Sequence, residues 1–327
     1  MSDVARLAGV SLQTVSRVVN GGTVALGTRD RVLDAIRVLD YKPNSAARAL
    51  ATGRTRTIGL ISLDTNHYGP TRTLVAIQQA AHEQEYFTTA VSLGSASPSS
   101  IQEGIGRLRL HGVEGILLVG PHLDAVRAMP RIADEIPIVA VGAGPQEGVA
   151  LVAVDHEAGA IEATRHLLDA GHTTVFHIAG PPDWDETRRR MTGWRSALMA
   201  AGATVIPPVS GDWSSRSGYE LGRQVLSRQG ITAVFAANDQ MALGLLRAAN
   251  EAGRSIPGDL SIVGFDDIPE SAYLTPPLTT VRQPFTDLGH RAFEVLINEI
   301  TDRSQTVDQI VINPELVVRS STSPPSS

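Results

Sequence analysis

Four places in the second half of the chain carry side chains suited to holding a polyol. Arg190 precedes Met191-Thr192-Gly193-Trp194, and Trp213 stands in Gly211-Asp212-Trp213-Ser214. Asn238-Asp239 follows the apolar run Ala233–Ala237, and Asp266-Asp267 follows Leu260–Phe265. Planar guanidinium, amide and carboxylate groups bond adjacent hydroxyls, and an indole ring covers the apolar face of a sugar. Asp64 and Gln283 are further candidates, with a structural role as the alternative. A turn is the alternative role for Asn238, and plain core packing for Trp213. Asp239 and Asp267 read as helix caps or lobe contacts, and Trp194 as core. Chemistry that breaks bonds is not indicated. No Gly-rich phosphate loop follows a strand, no His pair has HExxH spacing, and no G-x-S-x-G elbow occurs. Cysteine is absent, which excludes thiol catalysis, disulfides and Cys-based zinc sites. The expectation is binding without catalysis, metal or cofactor.

The elements that must position these groups alternate regularly. Candidate strands are 57–63, 87–92, 115–120, 137–142, 151–154, 174–179, 233–237 and 260–265, with a last strand-like run from Gln309 to Val318. Helical patterns lie between them, as at 71–85, 100–111, 157–170, 188–201, 216–229 and 240–252. Such alternation implies parallel sheets covered by helices. Ligands in such folds sit beyond the carboxyl ends of the strands, where the polar residues above fall.

Charge separates a head from this body. Of 28 basic and 34 acidic residues, residues 1–57 hold nine basic and only four acidic. A basic head on an acidic body suggests that the head alone meets a polyanion. Its pattern is helical. Ser2 can cap a first helix with Val4, Ala5, Leu7 and Ala8 on its apolar face; Gly9 breaks it. Ser11 can cap a second, Leu12 to Val19, with Val15, Val18 and Val19 inward and Asn20-Gly21-Gly22 as its stop. A third begins after Thr28 and runs to about Asp40. Two short helices joined by a Gly turn, braced by a third, form a helix-turn-helix, whose second helix enters the major groove.

Val4-Ala5-Arg6-Leu7-Ala8-Gly9-Val10-Ser11-Leu12-Gln13-Thr14-Val15-Ser16-Arg17-Val18-Val19-Asn20 closely resembles the head of LacI/GalR family transcription regulators. So does Tyr41-Lys42-Pro43-Asn44-Ser45-Ala46-Ala47-Arg48-Ala49-Leu50, followed at family spacing by Thr57-Ile58-Gly59-Leu60-Ile61. The resemblance covers essentially the whole chain. Family heads usually carry several residues before the equivalent of Asp3, so the resemblance implies either a longer start or missing N-terminal contacts.

The resemblance implies that Leu12, Gln13 and Arg17 read bases. Gln pairs with adenine, Arg with guanine, and Leu meets a thymine methyl. Ser11, Thr14, Ser16 and Asn20 would position phosphates. Residues 44–52 match the family's hinge helix, too short to persist alone, since isolated helices need roughly 12–15 residues. Leu50 would wedge into the minor groove, with Ala47 one turn earlier on the same face allowing two hinges to approach.

The implied fold is α/β: a two-lobed periplasmic-binding-protein-like core behind an all-α head. The implied domains are residues 1–43 (head), 44–56 (hinge and linker), 57–318 (effector-binding and dimerisation) and 319–327 (a Ser/Pro-rich tail expected to be disordered). The lobes would be 57–154 with 283–312, and 155–282 with the last strand. The matching positions imply that Arg190, Asn238 and Asp266 hold effector hydroxyls and that Trp213 stacks on the ring. His67-Tyr68-Gly69-Pro70 is similar to β-galactoside and β-glucoside regulators, pointing to a glycoside. The expected partners are a palindromic double-stranded operator, a sugar and a second copy of the chain, because no leucine heptad for tetramers appears. The rival is a stand-alone sugar-binding protein, which would need a signal segment and no basic head. No apolar run reaches the roughly 18–20 residues of a membrane span, and the start resembles no secretory signal, so the expected compartment is the cytoplasm.

Overall fold

The structure is a computed structural model. It describes residues 1–19, 22–41, 49, 53–63, 67–94, 97–120, 136–142, 144, 148–302 and 309–326. The chain divides into two compact units, Met1–Arg56 and Thr57–Ser327.

The first unit packs α1 (Ser2–Ala8), α2 (Leu12–Val19) and α3 (Leu26–Val38) around Val4, Ala5, Ala8, Val15, Val18, Val32 and Ala35. Gly9 ends α1 in the left-handed region, at φ 64°, where a side chain would strain the backbone. Ser2 lies inside α1 rather than capping it; Met1 occupies the cap position, with no side-chain bond. Ser11 does cap α2: its Oγ accepts from Thr14 N at 3.1 Å. The third helix starts earlier than its apolar spacing suggests, because Thr28 N and Arg29 N both bond Ala25 O.

The second unit holds two six-stranded sheets. Lobe 1 contains β1 (Thr57–Ser62), β2 (Phe87–Ser92), β3 (Ile116–Val119), β4 (Ile138–Val141), β5 (Ala150–Val154) and β11 (Gln309–Ile312), in the order β11-β5-β4-β3-β1-β2. Lobe 2 contains β6 (Phe176–Ala179), β7 (Val209–Ser210), β8 (Ala233–Ala236), β9 (Ser261–Asp266), β10 (Thr279–Arg282) and β12 (Glu315–Val317), in the order β12-β10-β9-β8-β6-β7. All pairings are parallel except β10 with β12. The central strands are apolar and buried along their whole length, as a sheet covered on both faces requires.

In lobe 1 the covering helices are α4 (Tyr68–Glu83), α5 (Pro98–Leu110) and α10 (Phe285–Thr301). In lobe 2 they are α6 (His156–Asp169), α7 (Asp185–Ala200), α8 (Ser215–Leu226) and α9 (Asp239–Glu251). α8 and α9 cross closely at Gly218 and Gly244, where a Cβ would stand 2.2 and 2.0 Å from the other helix's backbone oxygens. The chain passes between lobes three times, after β5, β10 and β11; Asp155 N to Ile312 O, at 2.9 Å, ties two of the passages.

The expected disordered tail is instead ordered through Ser326. β10 begins at Thr279, opposite Val263, so Ile262 has no strand partner on that side. The tail fills the gap. Ile262 N donates to Ser321 O (2.9 Å), while Ser321 Oγ donates to Ile262 O (2.6 Å) and accepts from Thr279 N (2.8 Å). Unpaired backbone groups at a buried sheet end are costly, and this polar, small-residue segment supplies partners. The run Gln309–Val318 is likewise two strands in different sheets, parted at Asn313-Pro314.

One buried base in lobe 2 gives a testable pH effect. His177 Nδ1 donates to Phe235 O at 2.8 Å, its ring stacks on Phe235, and its Nε2 has no partner among the described residues. Burial, opposed by that bond and reinforced by Arg190, pushes its pKa from 6.5 to about 4. Below its ordinary pKa the unfolded chain takes up a proton that the folded chain refuses, so this position costs stability progressively as pH falls through that window. The integrated cost is about 3 kcal/mol. Denaturant unfolding at pH 7 and pH 4 should show His177→Phe gaining that much on the parent; equal pH dependence of the two would refute it.

Candidate functional site

The head presents one face of α2. Leu12, Gln13 and Arg17 are exposed, Ser11 is exposed, and Thr14 and Ser16 are half-buried, while Val15 and Val18 face the core. Leu12 is 52% exposed, an apolar side chain held in solvent at the first turn of a helix whose inner positions are filled. Asn20, Ala47 and Leu50 lie outside the described residues.

In the body, the carboxyl ends of both sheets supply polar groups, and Arg190 is their centre. It lies in the second turn of α7 and is 2% exposed. Its guanidinium donates to Ala237 O and, at 3.3–3.4 Å, to His156 Nδ1. It stands 3.6 Å from Asp266 and 3.9 Å from Glu186, with its carbon 3.8 Å from the centre of the Phe265 ring. Because Nδ1 of His156 accepts, this ring is neutral, and burial together with Arg190 holds its pKa well below the usual value. Asp266 accepts from Gln283 Nε2 at 2.7 Å. Burial, opposed by Arg190, lifts its carboxyl to about 8, so at neutral pH it can donate a hydrogen bond as well as accept one. Glu186 is also raised by burial.

Trp213 belongs to the same cluster. Asp212 Oδ1 accepts from Ser214 N and Oγ at 2.9 and 2.5 Å, and Ser214 Oγ in turn caps α8 through Ser217 N. These bonds set the turn that holds Trp213 at φ 71°. Its ring is buried over Gly180, edge-on to Trp184 at 5.8 Å and 5.4 Å from the Arg190 carbon. Trp213 Nε1 and Thr187 Oγ1 are buried without hydrogen-bond partners among the described residues. Asp266 and Asp267 also have positive φ, 109° and 53°. Such conformations cost energy and cluster at working sites.

The sequence candidates thus fall into groups. Arg190, Asp266, Gln283 and Trp213 come together. Asn238 joins them as a support: its Oδ1 caps α9 through Met241 N (2.9 Å) and its Nδ2 holds Trp213 O (3.0 Å). His67 reaches the cluster through Trp184, with ring centres 5.5 Å apart. Asp64 lies outside the described residues. Asp239 is not a cap; its buried carboxylate accepts from Ile268 N, Ser271 Oγ and Thr280 Oγ1 at 2.6–2.9 Å. Asp267 binds Arg282 and Arg319. His156, Asp185, Glu186 and Thr187 were not among the candidates. His156 could have been found as a polar residue just past a strand; the others look like an ordinary first helical turn.

Between the lobes a small cavity of ≈ 10 Å³, about the space of one water, is lined by Gly120, Gly142, His156, Glu186, Gln283 and Phe285, among others. Among the described residues no group of three or more His, Asp or Glu side chains could hold a metal, and no helix is long and apolar enough to cross a membrane.

Residues 1–44 match the model of bacterial regulatory proteins of the lacI family, and residues 164–322 that of a periplasmic binding protein-like domain. The chain is 33% identical over 329 residues to an HTH-type transcriptional repressor PurR of Vibrio campbellii, covering 98% of this chain and 97% of that one. It superposes on the lac repressor dimer bound to operator and the anti-inducer ONPF with a TM-score of 0.87, at 31% identity and 98% coverage of both chains. On the regulator CelR–cellobiose complex the TM-score is 0.74, at 33% identity and again 98% of both. Head and body are matched together, in one continuous alignment with proteins that regulate transcription, and the chain belongs to the lacI family as a DNA-binding transcriptional regulator with a ligand-binding body.

Proposed function

We propose that the protein is a repressor released from a palindromic operator by a glycoside bound between its lobes. The observation that carries this reading is the buried set Arg190, Asp266 and Gln283 beside the Trp213 ring. A guanidinium, a carboxyl that both donates and accepts, and an indole form the chemistry of an uncharged polyol site. Relatives differ: one solved structure is a CelR–cellobiose complex, while curated relatives include a ribose operon repressor and the transcriptional repressor PurR. His67 at the cleft and Trp184 beside it favour a ligand with a second ring or aglycone.

Operator binding would use two heads of a dimer, whose symmetry matches a palindrome. Leu12, Gln13 and Arg17 read bases, Ser11, Thr14, Ser16 and Asn20 meet phosphates, and Ala47 and Leu50 serve the hinge wedge. The effector shifts the balance between two lobe arrangements only by its differential affinity for them. A hundredfold release needs roughly 2.7 kcal/mol of coupling.

The test is titration of a palindromic site with the full chain at fixed salt, against lactose, other galactosides, cellobiose and a purine. Release by one glycoside is the expected result. A ligand that tightens binding would make the effector a corepressor, and release by the purine alone would overturn the glycoside reading.

A further inference from the structure

We propose that Asp185 is a positioning residue that latches the two lobes together and sets their balance before any effector binds. A carboxylate in the first turn of a helix ordinarily serves its own helix, by capping or by the dipole. Asp185 lies in the first turn of α7 but makes no cap bond there. Its Oδ2 reaches across the cleft and accepts from the backbone N of Gly144, 2.8 Å away and just beyond β4 of lobe 1. Arg189, one turn on, donates Nε to the same oxygen at 2.7 Å and so fixes the carboxylate on that heading. The bond is buried, so it is charge-assisted and shielded from water.

The neighbours on α7 make the same crossing. Trp184 meets His67 edge to face, with ring centres 5.5 Å apart. A Cβ at Gly142 would lie 3.7 Å from Glu186. One at Gly144 would lie 1.5 Å from an Arg189 nitrogen, so the flexible end of Arg189 lies directly against this residue of lobe 1. Three consecutive residues of lobe 2 therefore grip lobe 1, and the helix that carries them presents Arg190 in its next turn. Movement of Arg190 on binding a ligand is carried rigidly to Asp185, because both ride on α7. That link to operator release rests on the effector reading above; the latch itself does not.

Hydrogen exchange on the full chain, without added ligand, separates the two. Asp185→Ala removes the acceptor, and the Gly144 amide should exchange about tenfold or more faster, as loss of one charge-assisted bond implies. Amides of β4 should not change. Asp185→Asn keeps an acceptor oxygen and should restore most of the protection, which a merely destabilised fold would not show. Unchanged Gly144 exchange in Asp185→Ala, or acceleration spread evenly over lobe 2, would overturn the latch. If the Gly144 amide opens as expected while no sugar releases the operator, the latch stands and the glycoside reading falls.

Discussion

A chain carrying Arg190→Met is expected to hold its operator as tightly as the parent and to ignore the effector. Among the described residues the guanidinium is the cation within 4 Å of both Asp266 and Glu186, beside the neutral His156. If the guanidinium bonds two ligand hydroxyls, as proposed, its loss should weaken effector binding at least about 100-fold. The substitution also strands two buried carboxyls, which costs about 3–5 kcal/mol when they stay charged. Both already have raised pKa values, so they will take up protons, and the loss should shrink as pH is lowered. The double variant Arg190→Met, Asp266→Asn discriminates fold from function. It should regain much of the stability without regaining the effector response. Calorimetric titration with the releasing sugar, beside denaturant unfolding, measures both; parental effector affinity in either variant would remove Arg190 from the site.

The second large effect is expected in the head. Arg17 is exposed on the same helix as Gln13 and Leu12, and its removal does not disturb the Val15 and Val18 packing. If it bonds a guanine edge, Arg17→Ala costs about 1–3 kcal/mol per head, or about 5- to 150-fold, and relaxes preference at one base pair. A phosphate contact would instead weaken all sequences alike and lower the salt slope by about one ion. Binding measured across salt, on the operator and on single-base variants, tells these apart. Uniform loss on every variant would refute base reading by Arg17.

Much of this was legible in the residues because the signals were local. Apolar runs such as Ile116–Val119 and Ile262–Phe265 are strands by composition alone, and the polar groups that follow them fall at the cleft by the geometry of parallel sheets. What escaped was set by distant partners. β10, Thr279–Arg282, follows Pro276-Pro277 and is half threonine, so only its place between β9 and β12 makes it a strand. Ser321 reads as low-complexity tail until the missing neighbour of Ile262 is seen. Asp185 looks like a helix-start carboxylate, and nothing near it in sequence announces Gly144, 41 positions earlier. Asn238 was legible as polar and cleft-facing, but its role in holding the Trp213 backbone needed the loop from another strand.

The three passages between lobes also dictate how the chain can be made. Lobe 1 is completed by α10 and β11, and lobe 2 by β12 and the segment through Ser326, all from the last stretch of sequence. Neither sheet can close while residues beyond Phe285 are still inside a ribosome. Each half-built lobe therefore waits with an open strand edge, which is the kind of surface that pairs wrongly. Chaperone dependence during synthesis should accordingly end abruptly, when the final strands emerge, rather than decline domain by domain. For the same reason neither lobe can be excised as a contiguous fragment; an isolated lobe 2 would need residues 155–282 joined directly to 313–326.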